Sequence, residues 1–150
     1  RTAQAARRGD ELHEFAKEAI RLGVRLRGTN TLAAYVNDAI GFKLSPEQVL
    51  VYSMNVFGTA DAIGLRGRTL RIHDLKTGEK PGDFRQLKIY AALFCLEYGE
   101  RPGELDIELR IYQNDEVQVY IPPVEDVAEL MSRIITFDKV IERLKVEEGT

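Results

Sequence analysis

The chain has 150 residues, of which 44% are hydrophobic and 30% charged, and a formal net charge of −3. That is enough for one globular domain with a single core, and it argues against a protein that coats nucleic acid nonspecifically. Twelve Gly and five Pro exclude collagen-like and disordered compositions. A single cysteine, Cys95, excludes an internal disulfide framework and any four-cysteine zinc or iron–sulfur site within the chain. A reducing, cytoplasmic setting is the simplest expectation.

No apolar run approaches the roughly 18 residues of a membrane helix, and no signal peptide opens the chain. The chain starts at Arg1 rather than Met, which reads as a fragment or a processed form. Charge is unevenly spread: residues 1–96 hold 15 Lys+Arg against 10 Asp+Glu, and residues 97–150 hold 6 against 14. A polyanionic partner would therefore meet the first two thirds, although two solvated faces of an ordinary protein give the same arithmetic.

Apolar residues recur at three- and four-residue spacing from Leu12 through Phe15, Ala16, Ala19 and Leu22 to Leu26. This predicts a helix over residues 3–26, stopped by Gly28, with Leu12, Phe15 and Ala16 facing the core. A short helix fits Leu32–Ile40, capped by Thr29, Asn30 or Thr31. The β-branched and aromatic run from Gln48 to Val56 reads as a strand, with Leu50, Tyr52, Met54 and Val56 on one face. Thr59–Leu65 and Thr69–Lys76 are the next two strands, separated by a turn around Gly67. After the turn-rich TGEKPG, Asp83 caps a helix running to about Tyr98. Leu105–Tyr112 and Glu116–Ile121 form a strand pair around Asn114. The last helix runs from about Glu125 to Lys145, with Val127, Leu130, Met131, Ile134, Ile141 and Leu144 as its stripe. The order implies an α/β fold, one domain over residues 1–150, with a mixed sheet between helices and a meander of three strands.

The third strand carries the chemistry. Period two places Leu70, Ile72, Asp74 and Lys76 on one face and Arg71, His73 and Leu75 on the other. Asp74 and Lys76 alone read equally as an ion pair. Asp61, however, lies in an apolar stretch on the preceding strand, where an uncompensated carboxylate is expensive. In a meander it neighbours Asp74. Two such carboxylates repel unless a cation stands between them, and oxygen ligation favours Mg²⁺ or Mn²⁺.

Asp61 followed by Asp74-Leu75-Lys76 resembles the signature of the PD-(D/E)XK nuclease superfamily. Two further motifs match its RecB-like exonuclease branch: GxxxH as Gly9 to His13, and QxxxY as Gln86 to Tyr90. The run DLKTG, Asp74 to Gly78, is a typical form of its third motif. Ala60 stands where the family name has Pro, a departure common in this branch. The resemblance implies a restriction-endonuclease-like core, with a central mixed sheet of about five strands flanked by helices. It also implies a stand-alone, phage-type nuclease without an iron–sulfur cluster, or one domain of a longer protein. By the same resemblance His13, Asp61, Asp74 and the Leu75 carbonyl would hold Mg²⁺ or Mn²⁺. Asp61, Asp74 and Lys76 would be catalytic, with Lys76 acting on the attacking water. Gln86, Tyr90 and Arg85 would brace the site or touch substrate.

Bland readings stand beside these: a surface His13, a capping-box Gln86 and a core Tyr90. Glu47 is a further candidate acid, although SPEQ also reads as a turn. His73 points away from Asp74 and has no assigned role. Between Asp61 and Tyr90 seven Lys+Arg face four acids, a local excess suited to phosphates. The expected activity is metal-dependent hydrolysis of DNA phosphodiesters from DNA ends or in single strands, in recombination, repair or phage DNA processing. The alternatives are a structure-specific or nonspecific endonuclease on the same fold, or a silent nuclease-like domain that binds DNA or protein. A homo-oligomer or a recombination-protein partner fits either reading, and a membrane does not.

Overall fold

A computed structural model describes residues 2–149. The elements are α1 (Ala3–Leu22), α2 (Thr31–Gly41), β1 (Ser45–Val51), β2 (Phe57–Arg66), β3 (Thr69–Leu75), α3 (Arg85–Tyr98), β4 (Asp106–Gln113), β5 (Glu116–Tyr120) and α4 (Val124–Glu147). The five strands form one mixed sheet in the order β1-β2-β3-β4-β5. The first three make the expected antiparallel meander. The β3–β4 pair is parallel, so the chain must cross over between them, and α3 is that crossover. β4 and β5 close a two-residue hairpin through Asn114 and Asp115, with φ of 53° and 59°. Both residues in the left-handed region match the right-handed twist of the strands.

The sheet separates two cores. On one face α3 and α4 bury Leu50, Ala60, Ile63, Leu70, Ile72, Leu109 and Ile111 with Leu87, Ala91 and Phe94. On the other, α1 and α2 bury Ala62, Leu75 and Tyr112 with Ala16, Ile20, Tyr35 and Val36. The fold class read from the sequence is the one observed, and among the described residues no helix is long and apolar enough to cross a membrane.

Several local expectations are corrected. α1 ends at Gly23, not Gly28: Gly23 has φ 71°, its N–H reaches Ile20 O, and Val24 N–H reaches Ala19 O. That double closure satisfies the last carbonyls of the helix. Phe15 (51% exposed) and Leu22 (69%) face solvent, and the buried line of α1 is Gly9, Ala16, Ala19 and Ile20. The first strand starts earlier and stops at Val51. Residues 52–56 form the turn, where Tyr52 N–H donates to Val56 O and the Ser53 hydroxyl accepts from Asn55 N–H, leaving Met54 in solvent. Asp83 lies one residue before the N-cap Phe84 rather than at the cap itself, and its carboxylate accepts from Arg85 N–H, the first of α3. Leu144, expected in the apolar stripe of α4, is exposed.

β1 and β2 change faces partway along. Their pairing runs from Ser45↔Ile63 and Pro46↔Ala62, is interrupted at Glu47 and Asp61, and resumes at Gln48↔Ala60 in the same register. Strict alternation would put Ala60 beside Ala62. Instead Ala62 lies in the α1/α2 core, while Ala60 and Leu50 lie in the α3/α4 core. One residue in each strand absorbs the reversal, and Glu47 does so with φ 51°. The far half of the hairpin thereby turns onto α3, where Gly58 meets Tyr90. A Cβ at Gly58 would stand 2.8 Å from Cε1 of the Tyr90 ring. Gly58→Ala should accordingly cost about 1–3 kcal/mol in urea unfolding, because the buried ring must shift; wild-type stability would contradict this packing.

Candidate active site at the fork of the sheet

The site forms where β2 leaves β3. Their pairing ends at Ala62↔His73, while β3 stays tied to β4 through Lys76 N–H to Tyr112 O at 2.9 Å. Leu75, one residue earlier, therefore turns its main-chain groups toward the gap. Side chains replace the missing strand: Asp61 Oδ2 accepts from Leu75 N–H at 2.9 Å, and His13 Nε2 donates to Leu75 O at 2.8 Å. His13 Nε2 also lies 3.4 Å from Asp61 Oδ2. Its other nitrogen, Nδ1, donates to Gly9 O at 2.8 Å, one helical turn back in α1. Both ring nitrogens thus face acceptors, and the imidazole is held protonated. The hydrogen bond to Asp61 is the largest cause, and it outweighs burial to push the pKa up to about 9.

The Asp61 and Asp74 carboxyls are close enough to influence one another's protonation. Burial pushes both carboxyls up, and the outcome differs because their partners differ. Hydrogen bonds from His13 and from Leu75 N–H bring Asp61 below the ordinary carboxylate range. Asp74 has the charge of Asp61 beside it, and burial with that repulsion raises it to about 7. Lys76 opposes the rise, with its ammonium 2.8 Å from Asp74 Oδ2, an oxygen sealed from solvent. At neutral pH the pair therefore sits close to gaining or losing one proton.

These groups line one cleft of about 1040 Å³, with Thr2 and Ala5 of the α1 region on one wall, the loop 77–83 on another, and Gln86 and Tyr90 of α3 on a third. Gln86 lies beside the Tyr90 hydroxyl, one helical turn away on α3, and the Tyr90 ring is buried against Gly58. Tyr90 is thus a core residue that presents its hydroxyl to the cleft, and Gln86 does not cap α3. Seven expected groups converge here: His13, Asp61, Asp74, the Leu75 carbonyl, Lys76, Gln86 and Tyr90. Arg85 does not line the cleft and is exposed.

The basic excess of the Asp61–Tyr90 segment is not gathered at the cleft either. Arg68 and Arg71 sit at the opposite end of β3, paired with Asp106 and Glu108, and Lys88 pairs with Asp126. A strand of seven residues separates its two ends by about 20 Å, so a charge count along the chain mixed two places. Lys76 and Lys80 are the Lys and Arg residues that line the cleft, against Asp61, Asp74, Glu79 and Asp83.

Glu47 stands at the break in β1 opposite Asp61, where burial and then the Asp61 charge raise its pKa. Its signal in the sequence was an acid between Pro46 and Gln48, and only the strand pairing ties it to Asp61.

The donor chemistry fits a divalent cation. Two carboxylates, one imidazole and one carbonyl meet around the buried pair, and a +2 ion would relieve the repulsion that raises Asp74. Among the described residues no three His, Cys, Asp or Glu side chains stand ready-spaced as a cage. Lys76 leans on Asp74 and the His13 proton occupies the space beside Asp61, so both must yield to an ion. The Nδ1–H bond to Gly9 O fixes the tautomer in which Nε2 then carries the free lone pair.

The chain matches no protein-family model, no curated protein and no solved structure.

The protonation states give a stability prediction for the metal-free protein. His13 has a folded pKa of about 9 against an ordinary 6.5, so its contribution is complete below pH 6.5 and is lost as pH rises through about 9. Asp74, raised to about 7, adds to the fall up to that pH. In EDTA the melting temperature should fall between pH 6.5 and 9, and His13→Gln should remove most of that slope; an unchanged slope in His13→Gln would refute the assigned imidazolium.

Proposed function

We propose that this chain is a metal-dependent phosphodiesterase that hydrolyses DNA, with DNA ends or single strands as its substrate. The observation that carries the reading is the meeting of His13, Asp61, Asp74, Leu75 O and Lys76 in one cleft, from elements far apart in the chain. The donor set suits a hard cation, the neighbouring ammonium suits an anionic substrate, and the order of motifs is that of RecB-like nucleases.

In this reading Asp61, Asp74, His13 Nε2 and the Leu75 carbonyl hold Mg²⁺ or Mn²⁺. The bound ion supplies a water of lowered pKa and stabilises charge on the phosphoryl oxygens. The chain's own groups do the rest. In the metal-free protein His13 and Leu75 N–H hold Asp61 below the ordinary carboxylate range, and Leu75 N–H would go on donating to it with His13 Nε2 given over to an ion. With a cation beside Asp61, Asp74 would be ionised as well. Lys76, which lines the cleft beside Asp74, would offer its ammonium to the attacking water and the scissile phosphate, placing positive charge where negative charge develops. Gln86 and the Tyr90 hydroxyl line the same wall of the cleft, where they would brace the site or touch a substrate strand.

Cleavage of labelled linear DNA in Mg²⁺ or Mn²⁺ tests the reading. Asp74→Ala and Lys76→Ala should each lower the rate by about 10²-fold or more, while Lys76→Ala keeps metal binding. EDTA should abolish cleavage, and Ca²⁺ should bind without supporting it. Undiminished cleavage in excess EDTA would overturn the mechanism. Covalently closed circles should be spared, and rapid nicking of them would replace the exonuclease reading with an endonuclease on the same fold. DNA binding without cleavage in any divalent ion would leave a silent nuclease-like domain.

His13→Ala should weaken Mn²⁺ binding by about 10- to 100-fold and slow cleavage in step, since an imidazole ligand suits the softer ion. Wild-type affinity measured by calorimetry would remove His13 from the site.

A further inference from the structure

The loop 77–83 forms one wall of the cleft, yet its own backbone does little to hold it. It contains Gly78 and Gly82, and among the described residues no backbone-to-backbone hydrogen bond is made by residues 78–83. One side chain from another element supplies the ties. Gln113, the last residue of β4, accepts from Gly82 N–H through Oε1 at 3.1 Å. Its Nε2 donates to Gly78 O and to Lys80 O, both at 2.8 Å. One N–H and two carbonyls as partners fix which end of the amide is nitrogen. Gln113 itself does not line the cleft.

The clip reaches Lys76 through Gly82. A Cβ at Gly82 would stand 3.1 Å from Lys76 Cγ and 3.2 Å from Lys76 Cε, so the bare backbone of Gly82 lies along the lysine stem. The ammonium at the end of that stem pairs with Asp74 at 2.8 Å. A divalent ion on Asp74 would compete for that carboxylate, and a four-carbon stem without another hold is free to wander. We propose that Gln113 is a positioning residue for Lys76: by clipping loop 77–83 it keeps Gly82 against the lysine stem, so that the ammonium stays at the scissile phosphate when a divalent ion engages Asp74. This rests on the metal-dependent reading above.

The test uses two variants of the full chain. Gln113→Met keeps the length of the side chain and removes all three bonds. Gln113→Glu keeps an acceptor for Gly82 N–H but sets a carboxylate against two carbonyl oxygens, and it carries the test if Met disturbs the strand end. On linear DNA in Mg²⁺ each should lower kcat about tenfold, with KM and the calorimetric Mn²⁺ affinity within about threefold of the unmodified chain. In a Lys76→Ala background the same substitutions should change the residual rate by less than about twofold, because no ammonium is left to misplace. An equal loss with and without Lys76 marks a merely structural residue and overturns the proposal, and so does unchanged kcat in both variants. Without metal or DNA, hydrogen exchange at the Gly82 amide should quicken about tenfold or more in Gln113→Met, and unchanged exchange removes the clip. If the unmodified chain cleaves no DNA in Mg²⁺ or Mn²⁺, the metal-dependent reading itself falls, and this proposal with it. If it cleaves and the Gln113 variants match it, only the role of Gln113 is lost.

Discussion

Two buried carboxyls held side by side, Asp61 and Asp74, are the constraint around which this end of the molecule is arranged. Buried charge of one sign is unfavourable unless something nearby compensates it. The compensation comes from separate elements. α1 brings His13, β3 brings Lys76, and the parting of β2 from β3 frees Leu75 N–H to donate to Asp61. The same parting leaves Leu75 O for His13. The fork in the sheet and the docking of α1 are therefore one event. His13 satisfies a stranded carbonyl and a carboxylate at once, so α1 is held to the sheet by polar contacts at one end and by Ala16, Ala19 and Ile20 further along.

The two histidines show how surroundings assign a role to a residue type. His13 meets two backbone carbonyls and a carboxylate, and is held charged. His73 is adjacent to Asp74 in sequence, yet lies on the opposite face, fully buried beneath α2. Burial, with Arg110 and Arg71 nearby, lowers its pKa to about 3. The Tyr112 hydroxyl gives its proton to Asp38 at 2.6 Å and so accepts from His73 Nδ1–H at 3.3 Å. His73 Nε2 is then a bare lone pair in an apolar setting, a milder cost than a stranded N–H. Arg71 and Arg110 stack over Phe42 and pair with Glu108. That polar layer is closed by its own partners and fixes α2 to the sheet, whereas the layer around Asp61 and Asp74 opens into a cleft.

Much of the site could be read before the fold was known, because its residues come in short motifs with local geometry. Gly9 and His13 are one helical turn apart, and so are Gln86 and Tyr90, while Asp74, Leu75 and Lys76 are consecutive at a strand end. What could not be read was position across the sheet. A count of basic residues between Asp61 and Tyr90 suggested a phosphate-binding surface, but Arg68 and Arg71 belong to the far end of β3. Arg85 stands next to Gln86 and still points elsewhere, because neighbouring residues on a helix are turned about 100° apart. Phe15 followed the apolar spacing of α1 and lies in solvent, since the shallow packing of that helix buries only its small residues and Ile20.

The sequence by itself determined the kinds and order of the elements, the meander, and the identity of the groups that could do chemistry. Those follow from periodicity, turn residues and local spacing, which act over a few residues. Only the tertiary structure decided where β1 and β2 exchange faces. The register is unbroken on either side of Glu47 and Asp61, so no pattern within either strand marks the reversal as a paired event. That reversal turns Gly58 onto Tyr90 and leaves Asp61 to accept from Leu75 N–H, opposite Glu47. Such an arrangement depends on two strands yielding together against helices on opposite faces of the sheet. It is a property of long-range packing, which the linear order of residues does not display.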